Sequence, residues 1–97
     1  MPDIRIERHH TLGKESAKRS VDGIARQMKA RLNANCDWYG DEMVIRSSGA
    51  DGRIKVSENL IVIEVNLGLL LSPMKSTIER EISRQLDTRV GTGKGGM

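Results

Sequence analysis

Residues 59–67 constrain the fold more than any other stretch, because their apolar side chains alternate with polar ones. One face consists of Ile61, Ile63, Val65 and Leu67. Glu64 and Asn66 fall on the opposite face. A period of two is typical of a β-strand with one side in a core and the other partly in water. The chain must therefore supply an apolar layer for one side of a sheet.

A helical pattern follows this strand. Its apolar residues, four positions apart, are Met74, Ile78, Ile82 and Leu86. This spacing places them along one helical face. Ser72 is the predicted N-cap and Pro73 suits the first helical position, where a missing N–H costs nothing. The simplest arrangement packs this face against the apolar side of the strand.

The N-terminal third of the chain repeats the combination of strand and helix. Residues 3–8 predict a short strand, with Ile4 and Ile6 facing inward. A long helix is predicted from Thr11 or Gly13 to residues 33–35. Its apolar stripe is Ala17, Val21, Ile24, Met28 and Leu32. Gly23 costs about 1 kcal/mol there relative to Ala, and we expect it to mark a close approach of the helix to the sheet.

Short strands separated by turns fill the middle of the chain. Cys36 and Trp38 alternate with polar neighbours, and residues 43–47 and 53–56 predict two further strands. Residues 48–52 are predicted to form a turn. Links this short favour antiparallel neighbours, because parallel strands need a long crossover. The prediction is a two-layer α+β domain of order β-α-β-β-β-β-α, with a mainly antiparallel sheet packed against two helices. Residues 1–88 would form it, and residues 89–97 a flexible, glycine-rich tail.

The composition indicates one small domain and favours no particular class of site or partner. The 97 residues include a single cysteine, Cys36, so no internal disulfide can form. The N-terminus lacks the pattern of a signal peptide, and no apolar run approaches the roughly 20 residues that span a bilayer. We therefore expect a cytoplasmic protein. Its net charge of +3 is too small to identify a nucleic-acid partner.

No catalytic constellation is visible in the sequence. His9 and His10 are adjacent, so on a strand they would point to opposite sides, and no third metal ligand is evident. Cys36 is expected to be a small buried hydrophobe rather than a nucleophile. The sequence predicts neither an enzyme nor a cofactor.

Two surfaces are candidates for partner contact. The first comprises Leu69, Leu70, Leu71 and Met74. Strand alternation would turn Leu69 inward and leave Leu70 and Leu71 without an obvious place, so they either close the end of the sheet or form a docking patch. A homodimer contact is a further possibility. The second is a basic helix face with Lys18, Arg19, Arg26 and Lys29, which either contacts anionic groups or is simply solvated.

Several segments together resemble the family of polyhydroxyalkanoic acid system proteins, also called polyhydroxyalkanoate granule region proteins. They are Pro2-Asp3-Ile4-Arg5-Ile6, His10-Thr11-Leu12-Gly13, Cys36-x-Trp38-x-Gly40-Asp41, Ser48-Gly49-Ala50-Asp51-Gly52-Arg53, Leu67-Gly68-Leu69-Leu70-Leu71 and Lys75-x-Thr77-Ile78-Glu79-x-Glu81-Ile82. The resemblance spans residues 2 to about 88. This chain has Ala50 and Leu69 where a bulky aliphatic and a bulky aromatic residue are expected.

The resemblance implies a cytoplasmic protein of polyester-storing bacteria with a role in granule assembly or regulation. It supplies no catalytic residues. The leading hypothesis is a non-enzymatic module that contacts the granule surface or a granule-associated protein. The alternative is a small basic nucleic-acid-binding regulator. A small-molecule carrier or enzyme is a third hypothesis, although a domain this small leaves little room for a pocket between sheet and helices.

Overall fold

The computed structural model describes residues 2–90. For Arg31 and Leu32 it describes the backbone but not the side chains. Its elements are β1 (Ile4–His9), α1 (Lys14–Leu32), β2 (Asn35–Tyr39), β3 (Glu42–Arg46), β4 (Ala50–Val56), β5 (Leu60–Leu67), a 3-10 turn (Ser72–Met74) and α2 (Lys75–Val90). The predicted order β-α-β-β-β-β-α is confirmed. The predicted core position of Leu32 and residues 91–97 of the predicted tail lie outside the described residues.

All five strands form one antiparallel sheet in the order β1-β5-β4-β3-β2. The predicted inward alternation of β5 continues across its neighbours, because Ile63 lies opposite Ile6 of β1 and Ile54 of β4. Ile54 in turn lies opposite Met43 of β3. One face of the sheet is therefore apolar from β1 to β3.

Both helices cover this face and leave the other in water. α1 contributes buried Ala17, Val21, Ile24 and Ala25, and α2 contributes Ile82, Leu86 and Val90. α1 contacts β2 and β4, whereas α2 contacts β1. The predicted two-layer α+β architecture is confirmed.

A polar contact ties each edge strand to one helix. On β2, the indole Nε1 of Trp38 donates to Asp22 Oδ1 of α1 at 2.8 Å. On β1, Arg8 Nη2 donates to Ser83 Oγ of α2 at 2.6 Å. These bonds fix the position of each helix over its own half of the sheet.

The start of α2 differs from the prediction. Ser72 is the first residue of the 3-10 turn rather than an N-cap, and no side chain caps that turn. The reason is that the chain has already turned at Gly68, whose carbonyl accepts the amide of Ser72 at 3.0 Å. Met74 is consequently 48% exposed. The apolar stripe of α2 begins one turn later, at Ile78.

The end of α2 also lies beyond the predicted domain boundary. Arg89 and Val90 are helical, and Val90 is buried. Val90 extends the spacing of four residues that Ile82 and Leu86 establish, so the core holds the helix past residue 88.

Two glycines have roles that the sequence did not predict. Gly52 lies inside β4 rather than in a turn, because residues 50–52 pair with β5. A Cβ at Gly52 would lie 2.6 Å from the backbone oxygen of Glu64, so β5 approaches too closely for any side chain. Gly23 does not approach the sheet as predicted. A Cβ there would instead meet the guanidinium of Arg89 on α2, 2.9 Å from its Cζ.

These contacts predict opposite outcomes for one substitution at two sites. Gly52→Ala forces two strand backbones apart, so we expect the free energy of unfolding to fall by about 1–3 kcal/mol. Gly23→Ala displaces only the end of a flexible side chain and gains helix propensity, so stability should hold or rise by up to about 1 kcal/mol. Urea denaturation of both variants tests this. Equal losses at the two positions would contradict the described backbone approach.

Candidate contact surfaces

The segment after β5 carries three exposed apolar side chains within six residues. Leu69 is 92% exposed, Leu70 is 90% exposed, and Met74 is half-exposed. We call Leu69, Leu70 and Met74 the apolar tip. Leu69 does not continue the inward alternation as predicted, because β5 ends at Leu67 and the chain turns. Leu71 is partly buried, and a Cβ at Gly49 would lie 2.9 Å from its Cδ1.

The backbone beneath the apolar tip is held by hydrogen bonds. Gly68 N donates to Gly49 O at 2.9 Å, and Leu71 N donates to Gly68 O at 3.1 Å. The leucines of the tip therefore extend from a defined turn that is anchored to the β3–β4 link. Single exposed apolar residues are ordinary on protein surfaces, but three within six residues mark a candidate contact site.

Lys18, which belongs to the predicted basic face, makes its contacts within the domain. Its Nζ donates to Gly40 O at 3.1 Å and lies 4.8 Å from the centre of the Trp38 ring. It also lies 3.4 Å from Asp41 Oδ1, and Lys14 Nζ lies 3.0 Å from Asp41 Oδ2. The hydrogen bond from Lys14 is the main cause of the lowered pKa of Asp41, which burial partly opposes. These contacts anchor α1 to the β2–β3 turn.

The remaining basic residues border two different grooves. Arg26 and Lys29 line a shallow groove beside Cys36 of β2. Arg19 lines a groove between the helices, together with Arg89. The structure thus does not gather the four predicted residues into one groove, and nucleic-acid binding remains a prediction.

A groove between α1 and α2, which we call the interhelical furrow, was not predicted. The furrow has an apolar half and a basic half. The apolar half has a volume of about 260 Å³. The aliphatic side chains that line it are Ile24, Met28, Ile78 and Ile82. The sequence assigned all four to the core, and it carried no signal for the gap that remains between two helices lying side by side.

His10 has a structural role. Only 4% of it is exposed. Its Nδ1 accepts the amide of Leu12 at 3.2 Å, so its Nε2 carries the proton and donates to Ser57 O at 3.1 Å. His10 thereby joins the β1–α1 link to the β4–β5 turn. His9 is exposed at the end of β1, and no three His, Cys, Asp or Glu side chains within residues 2–90 are grouped to hold a metal ion.

Cys36 is half-buried on the inner side of β2, with its Sγ 4.0 Å from Ala25 O. Burial raises the pKa of its thiol above the ordinary value, with a smaller contribution from Asp37 and an opposing one from Lys29. A raised pKa lowers the thiolate fraction at neutral pH, and the thiolate is the reactive form.

We therefore expect Cys36 to react slowly. Alkylation by iodoacetamide at pH 7.5 (about one unit below the free-cysteine pKa) should be slower in the folded protein than in the urea-unfolded chain. Mass spectrometry of time points measures both rates. A faster reaction in the folded state would contradict the described burial and indicate an activated thiol.

Comparison with known proteins identifies a family. A family model described as "Putative polyhydroxyalkanoic acid system protein" matches residues 4–90, from the start of β1 to the end of α2. Searches of curated proteins and of solved structures found no significant match. Within residues 2–90, neither helix combines the length and apolarity that crossing a membrane requires.

Proposed function

Because this chain belongs to the polyhydroxyalkanoic acid system protein family, we propose that it is a non-enzymatic protein of bacterial polyester storage granules. It acts by contact with the granule surface or with a granule-associated protein. The observation that carries the proposal is the apolar tip, where Leu69 and Leu70 are almost fully exposed. An apolar surface is the natural partner of such a group, since contact removes its side chains from water.

The size of the apolar tip supports a weak, reversible contact for one domain. Burying one leucine contributes roughly 1.5–3 kcal/mol, so two contribute about 3–6 kcal/mol before the costs of association. A binding free energy of about 4 kcal/mol corresponds to a dissociation constant near 1 mM. Stable association would therefore use several copies on one surface, and a homodimer carrying two tips is one way to provide them.

The position of the apolar tip defines how the domain would approach a granule. The tip follows the last residue of β5, Leu67, and its turn is bonded to Gly49 between β3 and β4. The start of β5 lies at the opposite end of the sheet, where Glu58 Oε1 accepts the amide of Lys14 at the beginning of α1. The domain would meet the granule end-on, with the start of α1 directed away.

The state of the reactive side chains supports a non-enzymatic role. Both ring nitrogens of His10 are occupied by backbone groups. Cys36 has a raised pKa rather than the lowered one that activates a nucleophilic thiol. Both residues join elements of the fold, which is a sufficient reason for their presence.

A fluorescent fusion in a polyester-accumulating bacterium tests the proposal, with Leu70→Asp as the variant. Leu70 is exposed, so the substitution should not unfold the domain, while a charge at the apolar tip opposes contact with an apolar surface. Thr11→Asp is the matched control, because it adds the same charge at an exposed site near the start of α1. Circular dichroism of the purified variants checks that both are folded.

We expect native and Thr11→Asp fusions to surround the granules and the Leu70→Asp fusion to be diffuse. If the native fusion is diffuse in granule-containing cells, the proposed location is wrong. If Leu70→Asp surrounds granules as the native protein does, the apolar tip is not the contact. The charged side chains Arg26 and Lys29 then become the next surface to test.

A further inference from the structure

The interhelical furrow has two chemically different halves. The two helices run antiparallel. Ser20 Oγ, in the first half of α1, donates to Arg89 O at the end of α2 at 3.4 Å. Met28, later in α1, borders the same half of the furrow as Thr77 at the start of α2. The apolar half is lined mainly by isoleucine and methionine side chains. Gln27 and Gln85 border both halves, so the two halves adjoin on the domain surface.

The second half of the furrow is basic. Arg19 and Arg89 line it, together with hydroxyl groups of Ser16, Ser20 and Thr88. Arg19 Nη2 donates to Ser16 Oγ at 3.0 Å, and Arg89 Nε donates to Gln85 Oε1 at 3.2 Å. Both partners are neutral.

Neither arginine of the furrow forms an ion pair with a carboxylate within residues 2–90. Other basic residues of the helices do, as in the pair between Arg84 Nη2 and Glu81 Oε2 at 2.6 Å. Glu81 lies at the rim of the apolar half, and this ion pair places a positive charge beside its carboxylate. A guanidinium group matches a carboxylate with two parallel hydrogen bonds, so two guanidinium groups without an acidic partner complement an anionic ligand.

We propose that the interhelical furrow binds an aliphatic carboxylate. The hydrocarbon chain lies between Met28 and Ile78, and the carboxylate reaches Arg19 and Arg89. This inference goes beyond the granule contact proposed above and uses different residues, because none of the apolar tip lines either half of the furrow. A domain without catalytic groups would thus also carry a ligand site.

The volume of the apolar half limits the ligand. About 260 Å³ exceeds the roughly 150 Å³ of an engineered apolar cavity that holds benzene. It lies below the range of about 300–1,000 Å³ for drug-sized ligands. The expected ligand is a medium-chain acid.

Isothermal titration calorimetry of the full chain with decanoate, kept below its micelle concentration, tests the site. We expect saturable binding of one decanoate per domain. Hexanoate and octanoate should bind progressively more weakly, by about two- to fourfold per methylene removed, because each methylene leaves apolar surface exposed. Methyl decanoate, which has the same chain without the charge, should bind at least fivefold more weakly.

Arginine variants locate the carboxylate. Arg19→Gln and Arg89→Gln should each weaken decanoate binding at least fivefold. Arg26→Gln is the matched control, since Arg26 is an exposed arginine of the same helix that borders the β2 groove instead, and it should leave affinity unchanged. All three side chains are exposed, so folding should survive each change.

Three results of the calorimetry would overturn the inference. They are the absence of binding at every chain length, equal affinity for decanoate and its methyl ester, and equal effects of Arg19→Gln and Arg26→Gln. Binding to vesicles of anionic phospholipid without binding of free decanoate would likewise reject a free acid as the ligand. Leu70→Asp should retain decanoate binding, so failure of this site and failure of the granule contact are distinguishable.

Discussion

The sheet must bury one face and leave the other in water, and the rest of the structure depends on this asymmetry. The apolar residues of the central strands alternate with charged ones, so covering both faces would bury charge without benefit. On the uncovered face, Arg5 of β1 contacts Glu64 of β5 at 3.3 Å, and Arg53 of β4 lies 3.5 Å from Glu42 of β3. These cross-strand pairs keep that face compatible with water.

Because only one face is apolar, both helices must share it. Each is bonded to a different edge strand, α1 through Trp38 and α2 through Arg8. Helices packed side by side lie about 8–10 Å apart, and the gap between them closes only where side chains are long enough to fill it. Arg89 lies over Gly23 in the basic half and shorter aliphatic side chains line the apolar half, and neither half is filled. The interhelical furrow is thus a consequence of how this small core is covered.

The apolar tip has a different origin. The sheet needs β5 only as far as Leu67, where it pairs with Ala50, and α2 contributes to the core only from Ile78 onward. The intervening residues turn the chain without entering the core. A turn of this kind does not require leucine. The exposure of Leu69 and Leu70 is therefore the observation that favours a contact function.

Local periodicity predicted most of the fold. The inward alternation of Ile61, Ile63 and Val65 and the helical spacing of Ile78, Ile82 and Leu86 each report which side of an element is buried, and one-sided elements joined by short links leave few arrangements. Leu70 matched neither pattern, so the sequence left two alternatives open, closure of the end of the sheet or an exposed patch, and the structure shows it exposed.

Features that depend on contacts between distant elements were not predictable. The extension of β4 to Ala50 depends on pairing with β5, and glycine at residue 52 suggests a turn until that pairing is known. The role of Gly23 and the furrow both depend on where α2 lies relative to α1. The separation of Arg19 from Arg26 and Lys29 depends on side-chain directions that helical spacing does not determine.

Hydrogen–deuterium exchange with and without protein-free polyester particles tests the central claim most directly. Leu69 and Leu70 lie in the hydrogen-bonded turn between Gly68 and Leu71, and their side chains are almost fully exposed. The account predicts that particles slow exchange in the peptide containing the apolar tip, while peptides from the start of α1 and the β4–β5 turn are unchanged. Protection confined to those distant peptides, or no protection anywhere, would contradict direct contact of the apolar tip with polyester.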